Sequence, residues 1–157
     1  MNKEASKKSK IPGERLCIDT SMVKRKDQTR LQKYWLMIVD EAMDMKWSYF
    51  IKHKNDQCNI LINFIKNKRK DYLKIGRYIR CNNAGENKTF EKRAEKEGLG
   101  IKFKYTSRET PQQNGKVECG FATVYGKAQA MMLTAGLDND KKYELWTEAV
   151  STATLLA

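Results

Sequence analysis

Residues 34–39 form an unbroken apolar run, YWLMIV, in a chain whose residues are 32% charged. A short continuous run of this kind is typical of a β-strand that is buried on both faces. The run falls far short of the roughly 18 residues that a membrane-spanning helix needs, and no other run approaches that length. It therefore predicts a central strand in a layered fold and argues against a membrane partner.

The rest of the chain reads as strands and helices arranged around this run. Alternating apolar and polar residues predict further strands over 15–23, 46–51, 77–81 and 101–105. Helical spacing predicts helices after Asp56 as N-cap, over 89–97, from Thr110 onward and over 143–157. Short links between the first three strands indicate antiparallel pairing, and the helix-linked strands that follow indicate a mixed sheet. The expected fold class is α/β, with a mixed five-stranded sheet and helices packed on both faces.

The last two helices are expected to face the core with apolar stripes. The stripe of the first comprises Val117, Phe121, Val124, Ala128 and Met131, and that of the second comprises Leu145, Ala149, Ala153 and Leu156. Residues 110–113, TPQQ, fit a capping box with proline at the first helical position. The final helix reaches the chain end without a C-cap residue, so the domain over residues 11–157 is expected to be truncated at its C-terminus.

The net charge of +12, from 31 Lys and Arg against 19 Asp and Glu, predicts a polyanionic partner. Nucleic acid is the default partner for such a chain. Residues 1–10 are basic and almost free of apolar residues, which predicts a flexible arm and not a secretory signal. Four scattered cysteines and a single histidine, His53, argue against a disulfide scaffold and a structural zinc site. The protein is therefore expected inside the cell, in the nucleus or the cytoplasm, and not secreted.

Positive charge is concentrated over residues 66–80. The cations of this run are Lys66, Lys68, Arg69, Lys70, Lys74, Arg77 and Arg80. A solvated helix face and a patch that binds phosphates in a salt-sensitive, sequence-indifferent way both fit this pattern. Lys116 and Lys127 are weaker candidates for contacts with DNA.

Two acidic residues and two loops are candidates for chemistry, although each also fits an ordinary structural role. Asp19 lies within the first predicted strand, and Glu118 lies at the border of the apolar stripe on its helix. The segment RCNNAGEN (80–87) follows a strand and reads first as a turn. The segment TPQQNGKVE (110–118) opens a helix with a carboxylate in its first turn. That arrangement can bring the carboxylate close to a phosphate.

Taken together, these segments resemble the catalytic core of copia-type retrotransposon integrases, within the retroviral-integrase and ribonuclease H-like group. The resemblance rests on PGERLCIDTS (12–21), LMIVDEAMDMKWSYF (36–50), YIRCNNAGEN (78–87), TPQQNGKVE (110–118) and LWTEAVSTATLL (145–156). It implies a ribonuclease H-like fold, double-stranded DNA as partner, metal-dependent DNA cleavage and strand transfer with Mg²⁺ or Mn²⁺, and a homo-oligomer.

Such integrases hold two divalent cations with two Asp and one Glu, and the resemblance puts these positions at Asp19, residue 82 and Glu118. The 35 residues between residue 82 and Glu118 match the family's interval, but residue 82 is Asn82. An amide offers one neutral oxygen and an NH₂ group, whereas two-metal chemistry relies on anionic oxygens. Asn82 is therefore expected to weaken metal binding and to abolish most catalysis. A rescue by Glu86, four residues on, is the alternative.

Two further departures indicate a degenerate site. The family commonly has His where this chain has Cys17, and a basic residue where it has Cys119. These two and Cys81 flank the candidate positions, but strand alternation turns Cys81 away from the face of residue 82. Free, buried thiols are therefore expected, and not a cysteine-ligated metal.

Two alternatives to a degenerate integrase core stay open. One is a non-catalytic nucleic-acid-binding or interaction module on the same scaffold. The other is a chain without a stable fold, which the mean hydropathy of −0.74 permits.

Overall fold

A computed structural model describes residues 8–23, 33–106 and 115–157. In chain order it contains β1 (Arg15–Met22), β2 (Tyr34–Asp40), β3 (Lys46–Ile51), α1 (Asp56–Asp71), β4 (Tyr78–Asn82), α2 (Gly85–Lys96), β5 (Lys102–Thr106), α3 (Gly115–Thr134) and α4 (Asn139–Leu156). No helix within the described residues combines the length and the hydropathy needed to cross a membrane.

The strands form one sheet in the order β3-β2-β1-β4-β5. β1, β2 and β3 pair antiparallel, while β1, β4 and β5 pair parallel. The link of five residues between β2 and β3 suits an antiparallel pair, and the helical crossovers after β3 suit the parallel pairs that follow. The predicted mixed five-stranded sheet is confirmed.

Helices cover the sheet on both faces, as predicted. α1 and α2 pack on one face against Leu16, Ile18, Leu36, Ile38 and Ile79. α3 and α4 pack on the other face against Cys17, Trp35, Met37 and Val39. Residues 35–39 are at most 4% exposed, which is why an uninterrupted apolar run was required there.

α3 lies very close to β2, because Gly120 faces the sheet. A Cβ added at Gly120 would lie 2.8 Å from the Sδ atom of Met37. Trp35 fills the space beside this contact, with its ring centroid 4.8 Å from that of Phe121 and 5.6 Å from that of Trp146. This packing fixes the first turn of α3, where Glu118 lies.

Three helix starts differ from the prediction. α1 begins at Asp56, so its N-cap is Asn55 and not Asp56. α2 begins at Gly85, four residues before the predicted start at residue 89. α4 begins after Asp138, whose carboxylate accepts a hydrogen bond from the Lys141 amide, as an N-cap does. The predictions followed the apolar residues, whereas caps and turns decide where these helices begin. The predicted capping box over 110–113 lies outside the described residues.

The apolar stripe predicted for α4 is partly wrong. Leu145 is 44% exposed and Leu156 is 67% exposed, while Val150, Ala153 and Thr154 are buried. The buried face includes Thr154, whose hydroxyl bonds to Ser48 of β3. Because the buried face of α4 includes a polar residue, apolar spacing alone placed the predicted stripe on the leucines.

Candidate active site

Asp19 and Asn82 lie side by side on adjacent parallel strands. In the register of β1 and β4, Cys17 is opposite Arg80, so Asp19 and Asn82 follow two residues later on the same face. The Asn82 Nδ2 atom lies 3.4 Å from Asp19 Oδ1, which also accepts a hydrogen bond from the Thr20 amide at 2.8 Å. Both side chains are half-buried.

The Asn82 amide directs its nitrogen, and not its oxygen, toward Asp19. Its Oδ1 atom accepts hydrogen bonds from the Ala84 amide at 3.1 Å and from Asn87 Nδ2 at 2.8 Å. The oxygen is therefore engaged on the side away from Asp19. A cation beside Asp19 would meet the positive end of the amide dipole.

Glu118 lies in the first turn of α3, on the sheet face that also carries Asp19. Its neighbour Val117 is fully buried in the cluster that contains Cys17, whereas Glu118 itself is exposed. Within the described parts of the chain, no three His, Cys, Asp or Glu side chains are grouped closely enough to hold a metal ion.

These residues do not fit a pair of divalent cations as they are arranged. Hard cations such as Mg²⁺ require oxygen ligands, and Asn82 presents an NH₂ group toward the common space. Glu86 lies in the first turn of α2 and forms an ion pair with Lys54 at 3.5 Å, so that carboxylate has a cationic partner of its own.

The cysteines divide between the two faces of the sheet. Burial raises the pKa of the Cys17 thiol to about 11 and that of the Cys81 thiol to about 12. Cys81 packs with α1 and α2, which confirms that it faces away from the side of Asn82. The expectation of a buried thiol at position 119 is wrong: Cys119 is exposed. It follows the fully buried Val117 by two residues, about 200° around the helix.

A second charged cluster lies near the other end of β1. The buried Glu41 carboxylate contacts Arg15 Nη1 at 3.2 Å and Arg80 Nη1 at 3.3 Å, and it accepts a hydrogen bond from the Ser9 amide at 3.0 Å. The Arg80 side chain is only 13% exposed. Arg80, one of the predicted DNA-contacting residues, thus pairs with a buried acid.

Most of the other predicted DNA-contacting residues also contact protein groups. Lys66 pairs with Glu97 at 2.9 Å, and Lys68 lies over the Trp47 ring. The Arg69 guanidinium donates hydrogen bonds to the carbonyl groups of Ile75, Gly76 and Leu99. On α3, Lys116 pairs with Asp44, and Lys127 donates to the Leu156 carbonyl at 3.0 Å.

Three cations of the 66–80 run have no such partner in the part of the chain that the structure describes. The side chains of Lys70, Lys74 and Arg77 are exposed and make no ion pair or hydrogen bond within the described residues. They lie where α1 ends and β4 begins, whereas Asn82 is the last residue of β4. About 13 Å of strand separates the two regions. The structure therefore brings Asp19 and Asn82 together but not these cations with them.

No protein-family model matches the chain. The chain is homologous to the retrovirus-related Pol polyprotein from transposon TNT 1-94 of Nicotiana tabacum, with 28% identity over 124 residues. The alignment covers 79% of this chain and 9% of the polyprotein, so the chain spans less than a tenth of the length of that curated relative.

Solved structures of retroviral integrases share the fold. A chain of the simian T-cell lymphotropic virus intasome in complex with the PP2A regulatory subunit B56 gamma superposes with a TM-score of 0.69 and 16% identity, over 94% of this chain and 49% of its own length. The trimeric form of the HTLV-2 integrase catalytic core domain in complex with magnesium gives a TM-score of 0.60 and 15% identity, over 92% of this chain and 84% of its own.

The dimeric form of that HTLV-2 domain, also in complex with magnesium, gives 0.60 and 14%, over 92% and 85%. The chain has the ribonuclease H-like fold of integrase catalytic cores. The expected fold class is thereby confirmed.

Several residues around the site were not predicted from the sequence. Gln57 and Asn87 are almost completely buried and hydrogen-bond to each other at 2.8 Å, and Glu41 holds two arginines. One signal was present for Gln57, which precedes the core residue Leu61 by one helical turn and therefore shares its face. Asn87 was read only as part of a turn.

Proposed function

We propose that this chain is a copia-type integrase core that binds double-stranded DNA and has lost metal-dependent cleavage and strand transfer. The observation that supports the loss is the orientation of the Asn82 amide, which presents its NH₂ group to Asp19 at 3.4 Å. By resemblance, Asp19 and Glu118 occupy the positions of metal ligands, and Asn82 occupies the degenerate third position.

The chemistry of the amide explains why one substitution suffices. Two-metal phosphoryl transfer requires anionic oxygens that hold both cations in fixed positions. The Asn82 oxygen is neutral and already accepts two hydrogen bonds. Mg²⁺ or Mn²⁺ binding is therefore weak in our proposal, and the chain retains its fold without a working catalytic centre.

The excess positive charge supports DNA binding. The net charge is +12, and Lys70, Lys74 and Arg77 form an exposed group whose side chains are uncommitted in the described part of the chain. Contacts from such cations to phosphates are insensitive to sequence and weaken with salt. A homo-oligomer and an intracellular location, nuclear or cytoplasmic, belong to the same proposal.

The test of catalysis compares the native chain with Asn82→Asp in Mg²⁺- and Mn²⁺-dependent nicking and strand transfer on labelled duplex DNA. Glu118→Gln in each background controls for contaminating nuclease. We expect no activity from the native chain and Glu118-dependent activity from Asn82→Asp. Equal, Glu118-dependent activity of both chains would contradict the proposed loss.

The test of DNA binding measures how the binding constant falls with salt. Replacing Lys70, Lys74 and Arg77 by alanine should lower the slope of log K against log salt by roughly 2 to 3, since each phosphate contact contributes about 0.9. A matched control replaces three exposed lysines elsewhere, Lys52, Lys92 and Lys141. Equal losses in the two triple variants would refute a role for this group.

A non-catalytic nucleic-acid-binding or interaction module is the second candidate. It is favoured by the two hydrogen bonds that hold the Asn82 oxygen away from Asp19, because they stabilise a site in which no cation is needed. If neither the native chain nor Asn82→Asp cleaves DNA while both bind duplex, this candidate replaces the first.

A further inference from the structure

A chain of four side-chain hydrogen bonds leads from β1 through two helices and back to β1. The Thr20 hydroxyl donates to Gln57 Oε1 at 2.6 Å, and Gln57 Nε2 donates to Asn87 Oδ1 at 2.8 Å. Asn87 Nδ2 donates to Asn82 Oδ1 at 2.8 Å, and Asn82 Nδ2 points to Asp19 Oδ1 at 3.4 Å. Every donor faces the same way, and the relay ends on a carboxylate.

The two middle members lie inside the protein. Gln57 is 1% exposed and Asn87 is 4% exposed, at the edge of the apolar cluster formed by α1, α2 and the sheet. A buried amide is costly unless its polar atoms are hydrogen-bonded. Both polar atoms of Gln57 and both of Asn87 have partners within the relay. Their burial is therefore conditional on the relay.

Two groups fix the direction of the relay. The Ala84 amide can only donate, and it donates to Asn82 Oδ1 at 3.1 Å. The Asn87 NH₂ group donates to both the side-chain and the backbone oxygen of Asn82. Turning the Asn82 amide over would place its NH₂ group against two donors, so its nitrogen must face Asp19.

We propose that Asn87 and Gln57 are positioning residues whose hydrogen bonds turn the NH₂ group of Asn82 onto Asp19, so that an amide occupies the side of the carboxylate where a cation would bind. This inference rests on the proposed function in treating residue 82 as a ligand position. It adds the cause of the orientation, which lies in two buried residues outside the resemblance's ligand set.

The same relay should position a carboxylate at residue 82. In Asn82→Asp, the Ala84 amide and the Asn87 NH₂ group would hold one carboxylate oxygen and leave the other facing Asp19. Groups that orient a metal ligand typically change metal affinity by about 10- to 100-fold when they are removed. Asn87→Leu should therefore weaken metal binding in that background, although Asn87 is not itself a metal ligand in this proposal.

The experiment measures Mn²⁺ affinity by electron paramagnetic resonance and calorimetry for four chains: native, Asn82→Asp, Asn87→Leu and the double variant. Thermal unfolding in EDTA shows that each is folded. We expect clear binding to Asn82→Asp, much weaker binding to the native chain and to Asn87→Leu, and binding to the double variant about 10- to 100-fold weaker than that of Asn82→Asp.

Equal affinity of Asn82→Asp and the double variant would overturn the positioning role and leave the proposed function intact. Native binding as tight as that of Asn82→Asp would overturn the proposed function. Absence of binding to Asn82→Asp would overturn the treatment of residue 82 as a ligand position, and this inference with it.

If Asn87→Leu does not fold, a second pair of variants tests the same inference. In the Asn82→Asp background, Thr20→Val removes the hydroxyl at the start of the relay, whereas Thr20→Ser retains it. Relative to Asn82→Asp alone, we expect a several-fold loss of Mn²⁺ affinity for Thr20→Val and an unchanged affinity for Thr20→Ser. Equal values for the two would contradict the relay, because they differ in the hydroxyl that donates to Gln57.

Discussion

The carboxylates of Glu41 and Asp19 lie near different ends of β1 and have very different surroundings. Glu41 is buried and contacts two guanidinium groups, those of Arg15 and Arg80. Asp19 lies four residues along β1 from Arg15, and the groups that hydrogen-bond to it include two neutral donors, the Thr20 amide and the Asn82 NH₂ group. Glu41 thus contacts two full positive charges, whereas Asp19 accepts hydrogen bonds from neutral N–H donors.

The contacts of Glu41 stabilise the fold, whereas those of Asp19 belong to the candidate active site. A buried acid held by two arginines needs no external ion, and it ties the start of β1 to β4 and to the end of β2. At Asp19, the Asn82 NH₂ group is the last member of a relay of hydrogen bonds that passes through α1 and α2. Variants of the residues in the two arrangements measure how far they differ.

Glu41→Gln should destabilise the protein by about 3 to 5 kcal/mol, because it removes the buried negative charge that two mostly buried guanidinium groups contact. Urea unfolding followed by circular dichroism measures this loss. Glu97→Gln, which removes the partner of an exposed lysine, is the control and should leave the unfolding midpoint unchanged. Similar midpoints for the two variants would show that the Glu41 cluster is not a stabilising unit.

Gln57→Leu should cost about 1 to 3 kcal/mol, because the Thr20 hydroxyl and the Asn87 oxygen lose buried partners. The same urea experiment applies. The matched control is Gln129→Leu on the exposed face of α3, where the change should stay within about 0.5 kcal/mol. A neutral or stabilising Gln57→Leu would mean that the relay contributes nothing to the native state.

The buried Cys17 thiol of β1 should lower the free energy of unfolding at high pH. Burial, with a smaller contribution from Glu41, raises its pKa to about 11 in the folded chain from about 9. The unfolded chain therefore loses this proton first, so the contribution is complete below pH 9 and declines between pH 9 and 11.

At pH 10 we expect a loss of about 1 kcal/mol from Cys17 relative to pH 8. Cys17→Ala should show a shallower decline than the native chain, whatever its stability at neutral pH. Parallel pH profiles for the two chains would contradict the assignment.

Asp19→Asn should cost the least, about 1 kcal/mol, because an amide oxygen can still accept the hydrogen bonds that Asp19 accepts. The informative quantity is the difference from Glu41→Gln, since both replace a carboxylate by its amide. A larger loss at Asp19 than at Glu41 would reverse the comparison.

The strands were predictable because alternation and the apolar run report burial directly. β2, for example, is buried along nearly its whole length, as its short unbroken apolar run predicts. Helix starts were less predictable, because the first turn of α2 contains Glu86 and Lys88 around the single buried Asn87. Apolar spacing carries no signal there.

Of the candidate site, the neighbourhood of Asp19 and Asn82 followed from the resemblance and from parallel pairing. The roles of the charged residues did not. The run over 66–80 looks uniform in sequence, yet Arg80 contacts a buried acid and Arg69 contacts backbone carbonyls. Such partners lie on other elements, so only the assembled fold distinguishes them from the exposed Lys70.

Arg69 also links two segments of the chain that we expect to unfold together. Its guanidinium joins carbonyls of the loop before β4, at Ile75 and Gly76, to that of Leu99 after α2. Segments linked in this way should unfold locally as one cooperative unit, and their amide protons should exchange with deuterium together. Replacing this one side chain should split that unit into two regions that exchange at separate rates.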